Sequence, residues 1–269
     1  MENIDWSKLS FGYVKTNYNV RCYYRNGKWG QLEISSSEDI TMHMAATCLH
    51  YGQEAFEGLK CYRGKDGKVR IFRWIENSHR LQSSAEAILM AKVPDELFKE
   101  ACWKVVQLNS EFIPPYGTGA SLYLRPLLIG TGAKVGVSPA DEYLFMIFVT
   151  PVGPYFKAGF KPVPMQIVRD FDRAAPMGTG HVKVGGNYAA SLRAGERAHH
   201  EGFAAGQGRS VTLAQFSVQD HDFQGGVVLR LERVALGKFA QFLVGVSQEQ
   251  PQGIVLGEFP ELFGFLVPF

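Results

Sequence analysis

The sequence predicts an α+β or α/β chain of two domains, on three observations. Two strand-like runs are each split by a turn pair, Asn26-Gly27 and Asp66-Gly67. Helical periodicity then sets in twice, from Asn77 and from Asn187. Between these helical regions the stretch "PVGPYFKAGFKP", 151–162, breaks both periodicities with proline and glycine and marks a domain connection. The chain of 269 residues is long enough for two modest domains. We divide it into a small N-terminal α/β domain at 1–150, the connection at 151–162, the start of a larger domain at 163–203, and a tail at 204–269.

Taken in order, "RCYYRNGKWGQLEIS" reads as a hairpin closed at Asn26-Gly27, and "LKCYRGKDGKVRIFR" repeats the device at Asp66-Gly67. From Asn77, residues Leu81, Ala85, Ile88 and Leu89 share one helical face, with Asn77 or Ser78 placed to cap the start. A second helix covers 95–111 after Pro94. "ASLYLRPLLIG" and "EYLFMIFVTPV" read as strands, the second apolar on both faces and therefore central. "VPMQIVRD" resumes as a strand. A glycine-rich loop then leads into a helix from Asn187 with Tyr188, Leu192 and Gly195 on one face, and Gly202 stops it.

Composition excludes several function classes. Hydrophobic residues make up 46% and charged residues 20%, ordinary for a globular protein, and the net charge of +2 comes without a basic stripe. A nucleic-acid partner is therefore not expected. The longest apolar block, "YLFMIFV" at 143–149, is too short to cross a bilayer. The start "MENIDWSKLS" shows neither a secretory nor an export signal, so we expect a cytoplasmic protein without a membrane partner. Cys22, Cys48, Cys61 and Cys102 lack paired spacing and read as reduced thiols. The histidines have no spaced acidic or cysteine partners, so no metal is expected.

The residue that raises a chemical question is Lys183, in "GTGHVKVGGNYAASL". Lysine belongs by default on a solvated face. Here Val182 and Val184 flank it, Gly185 and Gly186 let a planar group approach the backbone, and a helix N-terminus follows. Burial and that positive potential both lower the pKa of an amine, and a neutral amine attacks carbonyl carbon. Two readings stand on spacing alone: a Schiff-base nucleophile, or a lysine that simply faces phosphate at a helix end. Arg80 in "ENSHRLQSSA" is either a solvated helical arginine or a bidentate phosphate clamp. Tyr123 and Arg125 alternate with Leu122 and Leu124, so the two polar side chains share a strand face that is either exposed or turned into a pocket. The glycine run "GTGAKVG" at 130–136 is not followed by a helical pattern, which excludes a dinucleotide fingerprint.

Taken together, "HYGQEAFEGLKCYRG" (50–64), "SHRL" (78–81), "SLYLRP" (121–126), "TPVGPYF" (150–156) and "KVGGNYAASL" (183–192) follow one another in the order seen in branched-chain amino-acid aminotransferases. Over residues 1 to 203 the chain resembles that family, the fold-type IV pyridoxal-phosphate enzymes. The resemblance implies a two-domain fold whose larger domain binds pyridoxal 5′-phosphate, with Lys183 joined covalently to the cofactor, Tyr188 bonded to its phenolic oxygen, and Arg80 and Arg173 at its phosphate. It further implies that Tyr51 and Phe56 line the pocket for the branched side chain, and that Tyr123 and Arg125 receive the substrate carboxylate. The implied reaction moves the amino group of leucine, isoleucine or valine to 2-oxoglutarate, giving glutamate and a branched 2-oxo acid, in a homodimer. Other activities of the same fold type, D-amino-acid transamination and aminodeoxychorismate cleavage, are the alternatives.

The tail departs from the family. All eleven tyrosines and every Asn, Met, Trp and Cys lie before residue 204. The family's acidic motif opposite the pyridinium nitrogen and its serine and threonine phosphate loops are not found there. Asp220 and Asp222 in "VQDHDFQ" do not match that motif. We read 204–269 as an aberrant or frame-shifted end, so that the larger domain is incomplete or replaced, and an inactive member of the family is the competing expectation.

Overall fold

Asn26 and Gly27 both adopt positive φ, 52° and 76°, the left-handed pair that a two-residue turn between twisted antiparallel strands demands. The computed structural model describes residues 4–154, 165–175, 177–203, 205–209, 230–236 and 239–245. At 165, 169–171, 205–209 and the last two stretches it describes the backbone alone. In chain order the elements are β1 (Asn19–Arg25), β2 (Lys28–Trp29), β3 (Glu33–Ser35), α1 (Thr47–Tyr51), β4 (Glu54–Phe56), β5 (Leu59–Arg63), β6 (Val69–Ile71), α2 (Trp74–Ala87), α3 (Asp95–Leu108), β7 (Ser121–Gly130), β8 (Tyr143–Val152), β9 (Met165–Asp172), α4 (Gly185–His200), β10 (Ala205–Arg209), β11 (Arg230–Leu236) and β12 (Phe239–Gly245). The chain divides into two units, one holding β1 to β10 with the four helices, the other the β11–β12 hairpin. Most of the tail, Asp220 and Asp222 included, and the connection at 155–162 lie outside the described residues.

Eight strands form one antiparallel sheet in the order β2-β1-β8-β7-β5-β6, with β3 paired to β1 and β4 to β7. The class is α+β. β8 lies between β1 and β7 and is buried along nearly its whole length, as its two-faced apolar pattern requires. One face carries the main core, where Leu122, Leu124, Leu128, Phe145 and Ile147 pack against Leu81 of α2 and Phe98, Cys102 and Val105 of α3. A smaller cluster of Ile129, Leu144 and Met146 occupies the other face.

Three elements depart from their sequence patterns. The β5–β6 hairpin does not repeat the first turn: among its loop residues 64–68 only Gly67 has positive φ (75°), and the Asp66 carboxylate accepts from Lys68 N and Arg70 instead. α2 begins at Trp74, with Arg73 in the left-handed region (φ 45°) and Trp74 packed on the core, so Arg80 stands in the second turn. α4 begins at Gly185, and the residues it buries are Asn187, Ala194 and Ala198, while Leu192 is 70% exposed. Gly202 (φ 80°) ends α4 as expected.

The sheet is interrupted between two of its short strands. β4 and β5 run in one register along β7, Phe56 opposite Leu127 and Leu59 opposite Leu124. Between them the Glu57 N–H donates to Pro126 O at 2.8 Å, and Pro126 has no N–H to return. Beyond the sheet, β9, α4 and β10 make a parallel β-α-β crossover, registered Ala205↔Met165 to Gly208↔Val168.

Candidate active site

The free edge of β4 is where Lys183 is held. Phe56 N donates to Lys183 O at 3.2 Å, so the lysine's backbone covers a strand edge that β7 leaves open. From the other side Lys183 N donates to Ser84 Oγ of α2 at 3.1 Å. Asn187 secures the turn at Thr179–His181 ahead of the lysine: its Nδ2 donates to Thr179 O (2.6 Å) and Val182 O (2.8 Å), and its Oδ1 accepts from Thr179 Oγ1 at 3.2 Å. Glu54 of β4 accepts from Gly185 N, capping the start of α4 from outside the helix. Four side chains or edges thus fix a single lysine.

That lysine is 8% exposed. Lys183 Nζ donates to the Tyr188 hydroxyl at 2.6 Å and lies 4.4 Å from the centre of the Phe56 ring. Its pKa falls to about 8, chiefly through burial, with Glu57 pulling it up and the guanidinia of Arg80, Arg125 and Arg173 pushing it down. The arginines supply the positive field that the sequence pattern assigned to the helix end. Burial raises the Tyr188 hydroxyl, against the lowering pull of Arg173 and Arg80. It also raises the Glu54 carboxyl, against the Gly185 N–H and Arg125.

Seven of the eight residues singled out by sequence converge on this place. Arg173 lies over the Tyr188 ring at 5.3 Å, and Phe56 meets that ring with centroids 4.9 Å apart. Arg125 stacks over Phe56 at 4.9 Å and donates from Nη2 to the Tyr123 hydroxyl at 3.0 Å. Its Nε is buried with no hydrogen-bond partner among the described residues. Tyr123 and Arg125 therefore share the strand face that turns inward. Arg80 is close enough to act on both Lys183 and Tyr188, and binds Glu57 through two 2.7 Å hydrogen bonds. Tyr51 stands apart. It ends α1 half exposed, its hydroxyl donating to Val135 O and its ring beside His50.

Sequence reasoning did not single out Glu57, Glu54, Ser84 or Asn187. Ser84 was readable in principle, because it lies one helical turn beyond Arg80 on the same face of α2. Glu57 was not, since an acidic residue inside a strand pattern reads as a solvated face. Among the described residues no helix is long and apolar enough to cross a membrane, and no three His, Cys, Asp or Glu side chains gather as metal ligands would.

Known proteins are similar to this chain in sequence and in fold. The chain is 50% identical over 202 residues to a branched-chain-amino-acid aminotransferase of Haemophilus influenzae, a match covering 75% of this chain and 59% of the relative. The namesake of Helicobacter pylori is likewise 50% identical, over 204 residues, with 76% of this chain and 60% of the relative covered. Among solved structures, the Escherichia coli branched-chain amino acid aminotransferase superposes with a TM-score of 0.55 at 31% identity, covering 70% of this chain and 58% of that one. No family model matches the chain. It spans about three fifths of the length of the curated relatives it matches. Over three quarters of its length, the part that holds the Lys183 site, the chain belongs to the branched-chain amino-acid aminotransferase family.

Proposed function

We propose that this chain carries the transamination site of a branched-chain amino-acid aminotransferase, acting on leucine, isoleucine and valine with 2-oxoglutarate and using pyridoxal 5′-phosphate. The observation that carries the reading is Lys183 Nζ: a primary amine, shielded from water, brought down to a pKa of about 8, and bonded to Tyr188 inside a ring of three guanidinia. The residues present fit that cofactor. An aldehyde calls for a partly neutral amine, a phenolate for a neighbouring hydroxyl, and a phosphate for fixed cations, here Arg80 and Arg173. A further solved branched-chain amino acid aminotransferase, 27% identical with a TM-score of 0.53 over 71% of this chain and 57% of that one, was captured with N-(5′-phosphopyridoxyl)-L-glutamate.

When bound, pyridoxal 5′-phosphate supplies the electron sink that lets a substrate α-proton depart. In our reading Lys183 would hold the cofactor through Nζ, and the same amine, once free, would take that α-proton and return it on the far side of the imine nitrogen. The Tyr188 hydroxyl orients the amine through its 2.6 Å contact. Arg125, whose buried Nε lacks an acceptor among the described residues, takes the substrate carboxylate together with Tyr123. Phe56 borders the side-chain pocket, where apolar contact separates leucine, isoleucine and valine only weakly.

We also read the chain as a cytoplasmic homodimer. Support for the dimer comes from Met44, Leu49, Val135 and Val137, each more than half exposed, on α1, the residues before it and the loop bonded to it. The four unpaired cysteines suit a reducing compartment. A second reading, a chain that takes up the cofactor without turning over, draws on the relatives' unmatched remaining length. Purified protein with pyridoxal phosphate, leucine and 2-oxoglutarate decides between them. Glutamate that forms with the parent and not with Lys183→Ala supports transamination. Cofactor uptake without glutamate supports the second reading, and no uptake refutes both.

A further inference from the structure

One acidic group at the site has no part in that reaction. Glu57 is fully buried at the break between β4 and β5, where an unpartnered carboxylate would be strongly disfavoured. It has three partners. Arg80 Nε donates to Oε1 and Arg80 Nη2 to Oε2, both at 2.7 Å, a side-on fork that fixes the plane of the guanidinium. Asn77 Nδ2 donates to Oε2 at 2.8 Å, and Gly58 N to the same oxygen at 3.4 Å. Asn77 and Arg80 are three residues apart on α2, so one helical face grips the carboxylate while the strand break delivers it. Ala55 and Leu59, to either side of Glu57, belong to the apolar core.

The charge balance singles out the same residue. Lys183 feels three guanidinia and one carboxylate, and that carboxylate is Glu57. Arg80 is a half-exposed, rotamer-rich side chain, and the fork to Glu57 narrows the conformations from which an incoming anion must select.

We propose that Glu57 is a positioning residue which, through its fork to Arg80, pre-orients that guanidinium to receive the phosphate of a phosphorylated cofactor, without touching the cofactor itself. This rests on the functional reading above, in which Arg80 takes the phosphate. The opposite effect is equally definite in chemistry. A carboxylate that merely competed for Arg80 would weaken phosphate binding, and its removal would tighten it.

The experiment is equilibrium titration of the purified chain with pyridoxal 5′-phosphate and, in parallel, with pyridoxal, which lacks the phosphate, read by the yellow absorbance of the bound aldehyde. Glu57→Gln is expected to weaken the phosphorylated ligand about tenfold, the scale for ordering one long side chain, and to change pyridoxal less than about twofold. In an Arg80→Gln background the same substitution should change neither by more than about twofold, because the pair acts as one unit. Glu57→Asp, which keeps the charge on a shorter arm, should recover part of the loss and serves as the test if the glutamine variant does not fold. Unchanged or tighter binding of the phosphorylated ligand by Glu57→Gln overturns the proposal. So does an equal loss for both ligands, or a full loss in the Arg80→Gln background. A parent chain that binds neither ligand overturns the functional reading and this inference with it, whereas a parent that binds both with an unaffected Glu57→Gln overturns this inference alone.

Discussion

Replacing Lys183 by methionine should make the protein more stable, and by an amount that depends on pH. The lysine's pKa falls from 10.5 to about 8 in the folded chain because the ammonium is buried among Arg80, Arg125 and Arg173, with Glu57 alone drawing it back. Each unit is worth about 1.4 kcal/mol, so at pH 7 the charged amine destabilises the fold by about 3 kcal/mol. Methionine matches the length of the lysine stem and carries no charge, but it gives up the bond to Tyr188, about 1 kcal/mol. The net gain at pH 7 is about 2 kcal/mol. Between pH 8 and pH 10.5 the unfolded lysine still holds a proton that the folded one has lost, so the parent's stability rises with pH through that window. The advantage of the variant should therefore shrink towards zero by about pH 10. Urea unfolding of both proteins at pH 7 and pH 10 measures this directly. A gain that is the same at both pH values, or a variant less stable than the parent at pH 7, would refute the claim that the amine is held under electrostatic and desolvation strain.

Other expectations come from the turn that carries the lysine. Asn187→Ala removes the bonds to Thr179 and Val182 and takes away the donor that Asn187 Nδ2 gives the carbonyl of buried Val182, so it should lower stability by about 1–3 kcal/mol in urea despite alanine's better helix propensity. Gly185→Ala places a methyl group against the Glu54 carboxylate that caps α4 and should cost about 1–2 kcal/mol. Gly186→Ala, next in sequence, meets open space and should be neutral or stabilise by up to about 1 kcal/mol. Equal effects at the two glycines would show that Glu54 does not cap the helix.

The sequence foretold the parts whose signal is local. Asn26-Gly27 specifies its turn by backbone preference alone, and "YLFMIFV" can only be a strand covered on both faces. Lys183 was legible because lysine among valines and glycines contradicts its ordinary environment. What escaped depends on contacts distant in sequence. Glu57 looks like any strand acid until α2 is laid beside it, and Glu54 caps a helix that begins 131 residues later. Leu192 misleads because an apolar residue reads as the inner face of a helix, whereas small alanines and Asn187 form that face of α4. Tyr51, placed in the pocket by family resemblance, makes its described contacts with Val135 and His50.

The central claim is that one shielded amine, Lys183 Nζ, captures an aldehyde. Borohydride reduction of the protein after incubation with pyridoxal 5′-phosphate, followed by peptide mass spectrometry, tests it most directly. The account predicts a single stoichiometric phosphopyridoxyl label on the peptide containing Lys183, lost in Lys183→Met. Labelling spread over surface lysines, with Lys183 unmodified, would contradict it.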